Sequence, residues 1–262
     1  VLEGQMKQKK YGKCSICGKE AALSVDHIPP KCCGNKSDTY YFQYALEFLV
    51  EGERCKLRHS QNGLTFVNIC NNCNNAMGKY DIHLQGFRNL VLSCINKTPC
   101  SDKFVLEKVC KSVIGHFLAA SSYDSCIFSQ AMRKYYLDDD KTIYDVYSLF
   151  CTYYPYKNRI FSLNNYVTFS LNNYVTLNSD DDNVPNGMIS SLNFYPFVFI
   201  FCKKQNNRIL TDLFEICKNG CSMFEIRMDD WKNKAPTWPA VVDYSHGVLA
   251  SAAISDSKYK VK

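Results

Sequence analysis

A chain of 262 residues can hold one large domain or two modest ones, each with a hydrophobic core. Its formal net charge of +6 is compatible with a polyanionic partner, although a charge of this size does not identify one. No secretory signal is recognisable, and no apolar run approaches the roughly 18 residues that a membrane-spanning helix needs. We therefore expect a cytoplasmic protein without membrane contact, in which most of the 15 cysteines are reduced thiols.

The amino-terminal segment, residues 1–12, is predicted to be a basic tail. Residues 1–5 precede Met6, which we expect to be the natural start of the protein. Four lysines lie in this tail or directly after it: Lys7, Lys9, Lys10 and Lys13. These lysines are either solvated or in contact with nucleic-acid phosphates, and phosphate contacts would make binding sensitive to salt.

Two Cys-x-x-Cys pairs are the most specific pattern in the chain. Cys14 and Cys17 form the first pair, and Cys70 and Cys73 form the second. Each pair can chelate a metal from one tight turn, and two such pairs supply the four thiolates of a structural tetrahedral zinc site. The sequence therefore predicts bound Zn²⁺, with a long segment threaded between the two halves of the site.

The segment between the pairs contains the run DHIPPK, residues 26–31. We expect Asp26 and His27 to end one strand, residues 64–69 to form a second strand, and a helix to begin near Asn74. Adjacent strand residues point to opposite faces, so Asp26 and His27 can act on one substrate only if a bulge or strand end lies there.

These motifs resemble the HNH endonuclease family. The resemblance is carried by KCSICGKEAALSVDHIPPK and NICNNCNNAMGKYD, and it covers roughly residues 13–83. The pattern is closest to a bacterial branch with the motifs C-x-x-C, DH-[IV]-PPK and C-x-x-CNN. Membership would imply a zinc-stabilised ββα-metal fold and hydrolysis of phosphodiester bonds in nucleic acid, with DNA the favoured substrate.

The resemblance also implies roles for individual residues. His27 would be the general base, and Asp26 and Asn74 would hold one Mg²⁺ or Mn²⁺ ion, with Asn75 as a rival ligand. An imidazole that titrates near neutral pH beside a hard, oxygen-ligated cation suits this chemistry. Many members have an asparagine that orients the catalytic histidine, and here Thr65 occupies that position. Two asparagines lie nearby, Asn62 and Asn68, and strand alternation does not decide between them.

The insert, residues 32–62, has an apolar part and a basic part. Residues 40–50 carry apolar side chains at helical spacing, which predicts an amphipathic helix. The basic part predicts a hairpin that either lies along nucleic acid or is simply solvated, and its candidate contact residues are Arg54, Lys56 and Arg58. Lys31, at the end of the DHIPPK run, is a further candidate for contact with phosphate.

The rest of the chain, residues 99–262, is predicted to be an accessory α+β domain with mostly antiparallel strands, following a nuclease domain over residues 13–98. Leu106, Val109, Val113 and Phe117 form an apolar helical stripe. His116 is interpreted as a packing residue beside this stripe, and His83 as a structural residue. Asp81 either faces the substrate or is a surface acid.

Within the carboxy-terminal region, residues 193–201 are the most strand-like run. A tandem repeat, FSLNNYVT, occupies residues 161–168 and 169–176.

Two further possibilities stay open. The chain could be a catalytically inactive, zinc-stabilised module that binds nucleic acid or protein. By analogy with other HNH proteins, its biological role could be that of an effector of bacterial anti-phage defence. A homo-oligomer or a regulatory protein partner is also possible.

Overall fold

The computed structural model describes residues 10–36, 39–41, 58–124, 128–154, 159–168, 187–205, 210–220 and 250–254. This part of the chain is a mixed α+β structure whose sheets are antiparallel, as the sequence predicts. The strands are β1 (Tyr11–Lys13), β2 (Glu20–His27), β3 (Thr39–Tyr41), β4 (Arg58–Ser60), β5 (Thr65–Cys70), β6 (Tyr147–Tyr153), β7 (Arg159–Thr168), β8 (Gly187–Phe194), β9 (Phe197–Lys203), β10 (Thr211–Asp212) and β11 (Ala250–Ile254).

The helices are α1 (Asn71–Asn96), α2 (Leu106–Ala120), α3 (Ser129–Asp138), α4 (Ile143–Val146) and α5 (Leu213–Lys218), with a 3₁₀ turn over Lys31–Cys33. Over the ranges that the structure describes, no helix combines the length and the apolar character needed to cross a membrane.

Strands β2 and β5 and helix α1 form a ββα unit within a three-stranded sheet of order β1-β2-β5. The antiparallel register pairs Ser24 with Ile69 but Asp26 with Phe66, so two residues of β2 span three residues of β5. The extra residue lies in β5 next to Phe66, the partner of Asp26, and β2 ends at His27, so a bulge and a strand end both lie next to the Asp-His pair. Helix α1 begins at Asn71, directly after β5 and three residues before the predicted start.

An eight-stranded antiparallel sheet, of order β10-β6-β9-β8-β7-β11-β3-β4, contains the remaining strands. Strands β3 and β4 come from the insert and pair with each other, and β3 also pairs with β11. The insert therefore joins the carboxy-terminal sheet. Tyr40 and Tyr41, at the start of the predicted amphipathic helix, lie in β3, and residues 42–50 lie outside the described part of the chain.

The strand-like run over residues 193–201 is a tight hairpin and not one strand. Strand β8 ends at Phe194, Tyr195 and Pro196 form the turn, and β9 begins at Phe197. Proline has no N–H group to donate to a neighbouring strand, so it favours the turn over the strand interior. The first copy of the tandem repeat lies within β7, and the second copy lies outside the described residues.

The described residues form two hydrophobic clusters: a large one that includes buried residues from Cys14 to Phe214, and a smaller one that includes Phe150, Val198 and Ile200. The predicted apolar stripe of α2 is buried within the large cluster. Phe87 of α1 stacks on Phe197 of β9, with ring centroids 4.8 Å apart and an interplanar angle of 10°. The ββα unit thus packs directly on the large sheet. The boundary between a nuclease domain and an accessory domain at residues 98 and 99 stays a prediction.

Candidate functional site

The four cysteines of the two Cys-x-x-Cys pairs converge in space. Their Sγ atoms all lie within 4.8 Å of one another, and this is the one such cluster of cysteine, histidine and acidic side chains in the described residues. The Sγ atoms of Cys17 and Cys70 are 3.9 Å apart. This cluster can hold a metal ion, and four sulfur donors are the ligand set of a tetrahedral site.

Local backbone geometry positions each pair. Cys14 and Cys17 flank a turn that Gly18 closes, with its N–H donating to the Cys14 carbonyl at 2.9 Å and its φ at +72°. Cys70 ends β5, and Cys73 lies in the first turn of α1. The backbone N–H of Cys70 donates to Sγ of Cys14 at 3.3 Å, which links the two halves.

The sulfur of Cys14 is favoured as a thiolate. The hydrogen bond from Cys73, helped by backbone N–H donors, lowers the pKa of Cys14 to about 4 against the opposing effect of burial. Negative sulfur is the form that binds a metal ion.

Side chains from beyond residue 98 hold the first cysteine turn. Arg133 of α3 donates from Nε to the carbonyl of Ser15 at 2.9 Å, and the Ser15 hydroxyl donates to the carbonyl of Ser121 at 2.6 Å. The Nζ atom of Lys13 and the guanidinium carbon of Arg133 lie over the ring of Tyr123, at 3.8 and 3.7 Å from its centroid. The first turn of the four-cysteine cluster therefore packs against α3 and the loop that precedes α3.

His27 lies at the end of β2 with its ring half-buried. Its Nε2 atom is 3.0 Å from the backbone carbonyl oxygen of Asn62. Burial and then the positive charge of Lys31 lower the pKa of His27 below its usual value. The neutral ring, which can accept a proton, is therefore favoured at neutral pH.

The partner of His27 is a main-chain group, which residue types do not reveal. Asn68 is engaged elsewhere, since its amide donates to the Ala119 carbonyl at 3.1 Å. Thr65 faces His27 across the strand pair in the register. Asn62 is the nearby asparagine that holds the histidine, and it does so through its backbone.

Asn35 supports the loop that carries this carbonyl. It has no exposed surface, and its amide donates at 2.8 Å to the carbonyls of both Pro29 and Leu64. Its Oδ1 atom accepts from the backbone N–H of Leu64 at 2.6 Å. Sequence reasoning missed this residue because an asparagine after a glycine usually indicates an ordinary turn.

The structure brings Asn74 against the strand that carries Asp26. Its Nδ2 atom donates to the Ser24 hydroxyl at 3.1 Å and to the Val25 carbonyl at 3.0 Å. Both hydrogen bonds use the amide nitrogen, so neither of them occupies the amide oxygen. Asn75, the rival ligand, is exposed.

Asp26 is buried, with 6 % of its surface exposed. Its Oδ2 atom has no hydrogen-bond partner among the described residues and lies 3.8 Å from Nδ1 of His116. His116 also contacts Asp81, whose Oδ1 atom is 3.0 Å from Nε2. Asp81 is thus a partly buried acid that is engaged with His116.

His116 is more than the packing residue that the sequence suggested. Burial alone would lower the pKa of His116, but the negative charge of Asp81, with Asp26 on the other side, raises it to about 10. The sequence did not indicate this role, because Asp26 and Asp81 are distant from His116 in the chain and the apolar stripe beside His116 suggested packing.

His83 has a structural role as predicted, since its Nδ1 atom accepts from the Val105 N–H at 3.2 Å.

The candidate nucleic-acid contacts are only partly described. Lys31 is exposed, and Arg58 contributes backbone to β4. Arg54 and Lys56 lie outside the described residues.

No family model, curated protein or solved structure matches this chain. A functional assignment therefore has to rest on the geometry of the site.

Proposed function

We propose that this chain is a metal-dependent endonuclease of the HNH type that hydrolyses phosphodiester bonds in nucleic acid. The observation that carries the proposal is the hydrogen bond from His27 to the Asn62 carbonyl. A carbonyl oxygen only accepts, so Nε2 carries the proton and the neutral ring keeps its lone pair on Nδ1. A fixed imidazole with a free basic nitrogen is what a general base needs.

In the proposed reaction, Nδ1 of His27 takes a proton from a water molecule. The water oxygen forms a bond to phosphorus, the bond from phosphorus to the leaving sugar oxygen breaks, and a solvent proton neutralises that oxygen. The lowered pKa of His27 supports this role because it keeps the ring unprotonated before the reaction.

Asp26 and Asn74 fit a hard divalent cation. Asp26 offers a buried carboxylate whose Oδ2 atom lies on the side of His116, so Oδ1 is the oxygen left for a cation, and Asn74 offers the amide oxygen that its hydrogen bonds leave unused. One carboxylate and one amide oxygen are ligands that Mg²⁺ and Mn²⁺ accept. A bound cation would offset the negative charge that develops on the phosphate oxygens.

We further propose that the four-cysteine cluster holds structural Zn²⁺. All four ligands are sulfur, and the site has no donor left for a substrate, which is typical of a structural zinc site. Cys73 is in the first turn of α1 and Asn74 follows it, so the ion would also fix the start of the helix that carries a cation ligand.

Lys31 supports nucleic acid as the substrate class, with DNA favoured. It is exposed, its charge acts on His27, and it follows the catalytic strand closely in sequence. A lysine in that position can contact a phosphate next to the scissile bond.

The test is cleavage of supercoiled plasmid by zinc-loaded protein with Mg²⁺, Mn²⁺ or EDTA. We expect the wild type to nick or linearise the plasmid, EDTA to stop cleavage, and His27→Ala to reduce the rate by at least about 100-fold. His83→Ala is the matched control, because it removes a histidine that caps a helix away from the site, and its rate should stay near that of wild type.

Failure to cleave would favour a different function. If the wild type cut neither plasmid, single-stranded DNA nor RNA with either cation, the nuclease proposal would be wrong. Binding of labelled oligonucleotides without cleavage, measured by fluorescence anisotropy, would then favour an inactive zinc-stabilised binding module.

A further inference from the structure

The ring of His116 lies between two carboxylates that come from different elements. Nε2 is 3.0 Å from Oδ1 of Asp81 in α1, and Nδ1 is 3.8 Å from Oδ2 of Asp26 in β2. The side chain of His116 has no exposed surface. A histidine that served only to fill space would not need an acid at each nitrogen.

The contact with Asp81 is anchored by a second donor. The hydroxyl of Ser112, one turn before His116 on α2, donates to the same Oδ1 atom at 2.6 Å. Asp81 therefore ties α1 to α2 and holds the imidazole ring by its Nε2 atom. The ring orientation is set from this side, which leaves Nδ1 directed at Asp26.

On the other side, two buried polar atoms face each other without a hydrogen bond. Nδ1 of His116 and Oδ2 of Asp26 both lack a partner among the described residues. Their separation of 3.8 Å is longer than a hydrogen bond. A movement of less than about 1 Å would pair them, and buried polar groups are normally paired.

We infer that His116 is a positioning residue for the proposed cation site, holding the carboxylate of Asp26 from its buried side while Asp81 and Ser112 hold His116. The inference rests on the proposed function, because Asp26 is a cation ligand only there. A carboxylate fixed through one oxygen can present the other to a cation without losing orientational freedom on binding. Such supporting contacts typically change metal affinity by about 10 to 100-fold.

The test measures Mn²⁺ binding to the zinc-loaded full chain without substrate, by electron paramagnetic resonance at fixed pH. We expect His116→Gln to weaken Mn²⁺ binding roughly 10 to 100-fold while zinc content and far-UV circular dichroism stay unchanged. His83→Gln is the matched control and should bind Mn²⁺ as the wild type does. A folded His116→Gln protein with wild-type affinity would overturn the inference.

A second variant covers the case in which His116→Gln does not fold. Asp81→Ala keeps the histidine but removes its anchor, so it should also weaken Mn²⁺ binding, and wild-type affinity in this variant would overturn the inference. A double-mutant cycle in urea adds a second readout: the stability effects of Asp81→Ala and Asp26→Asn should be non-additive, because both act through His116.

The same measurements separate this inference from the proposed function. If the wild type bound no Mn²⁺, or if Asp26→Asn bound it as tightly as wild type, the cation site itself would be wrong and the inference would fall with it. If Asp26→Asn lost binding and His116→Gln did not, only the positioning role would be wrong.

Discussion

His27 and Asn62 are joined by a hydrogen bond between an imidazole nitrogen and a backbone carbonyl oxygen, 3.0 Å apart. Asn62 lies between β4, at the edge of the large sheet, and β5, in the sheet that carries His27. The orientation of the proposed general base therefore depends on the loop that connects the two sheets. We expect substitutions in this loop and in the four-cysteine cluster to change stability, zinc content and the pH dependence of cleavage.

The buried side chain of Asn35 should be the strongest determinant of the loop. Asn35→Ala would leave the N–H of Leu64 and the carbonyl of Pro29 without the Asn35 side chain as partner, and the carbonyl of Leu64 with only the N–H of Ile28. Because an unpaired buried polar group costs about 1 to 3 kcal/mol, we expect a loss of roughly 3 kcal/mol in the free energy of unfolding, measured in urea. Asn89→Ala, which removes an exposed bond to Asp102, should cost less than about 1 kcal/mol. Equal losses would contradict this assignment.

The pH dependence of cleavage should report the environment of His27. The base acts when unprotonated, so the rate should rise with pH through the pKa of His27, which burial and Lys31 hold below 6.5. Lys31→Gln removes one of the two lowering effects and should move this acid limb to higher pH. The measurement is a series of single-turnover rates at saturating DNA, in which the position of the limb and not its height is compared.

Lys36→Gln is the control for that profile, because Lys36 is exposed and is not among the charges that shift His27. Its acid limb should coincide with that of wild type. An unchanged limb in Lys31→Gln would show that the charge of Lys31 does not act on the base.

Metal binding should depend on the four clustered cysteines and not on cysteines in general. Cys70→Ser removes one of the four sulfurs and is expected to lower bound zinc, measured by mass spectrometry of the purified protein, and to lower the melting temperature. Cys94→Ser changes an exposed cysteine outside the cluster and should retain both. A zinc content that survived Cys70→Ser would mean that the ion binds elsewhere.

The same substitution at two glycines should have opposite effects. At Gly18, φ is +72° and a Cβ atom would lie 2.9 Å from the ring of Tyr123, so Gly18→Ala should destabilise the cysteine turn. At Gly78, inside α1, a Cβ atom meets nothing within 4 Å. Gly78→Ala should therefore stabilise the protein by about 0.5 to 1 kcal/mol, since alanine favours a helix. Thermal unfolding of both variants tests this, and a shift of the same sign in both would contradict it.

Local patterns were sufficient for several features of this protein. The spacing within each Cys-x-x-Cys pair predicted the turns that present the thiols, and the structure confirms that the four sulfurs converge. The apolar periodicity of residues 106–117 predicted the buried face of α2. Both succeed because the signal and the structure lie within a few neighbouring residues. The strand-like character of residues 193–201 is confirmed on both sides of the turn at Tyr195 and Pro196, and the apolar composition did not indicate that turn.

Only the tertiary structure decided how the candidate site is supported. The partner of His27 is a backbone carbonyl, and every residue has one, so no residue type could indicate Asn62. The chain of Asp26, His116 and Asp81 joins a strand and two helices that are distant in sequence, and helical periodicity marks His116 only as a neighbour of an apolar face. Residue types and spacing determine which chemical groups are available, whereas long-range packing determines which of them meet and how they are charged.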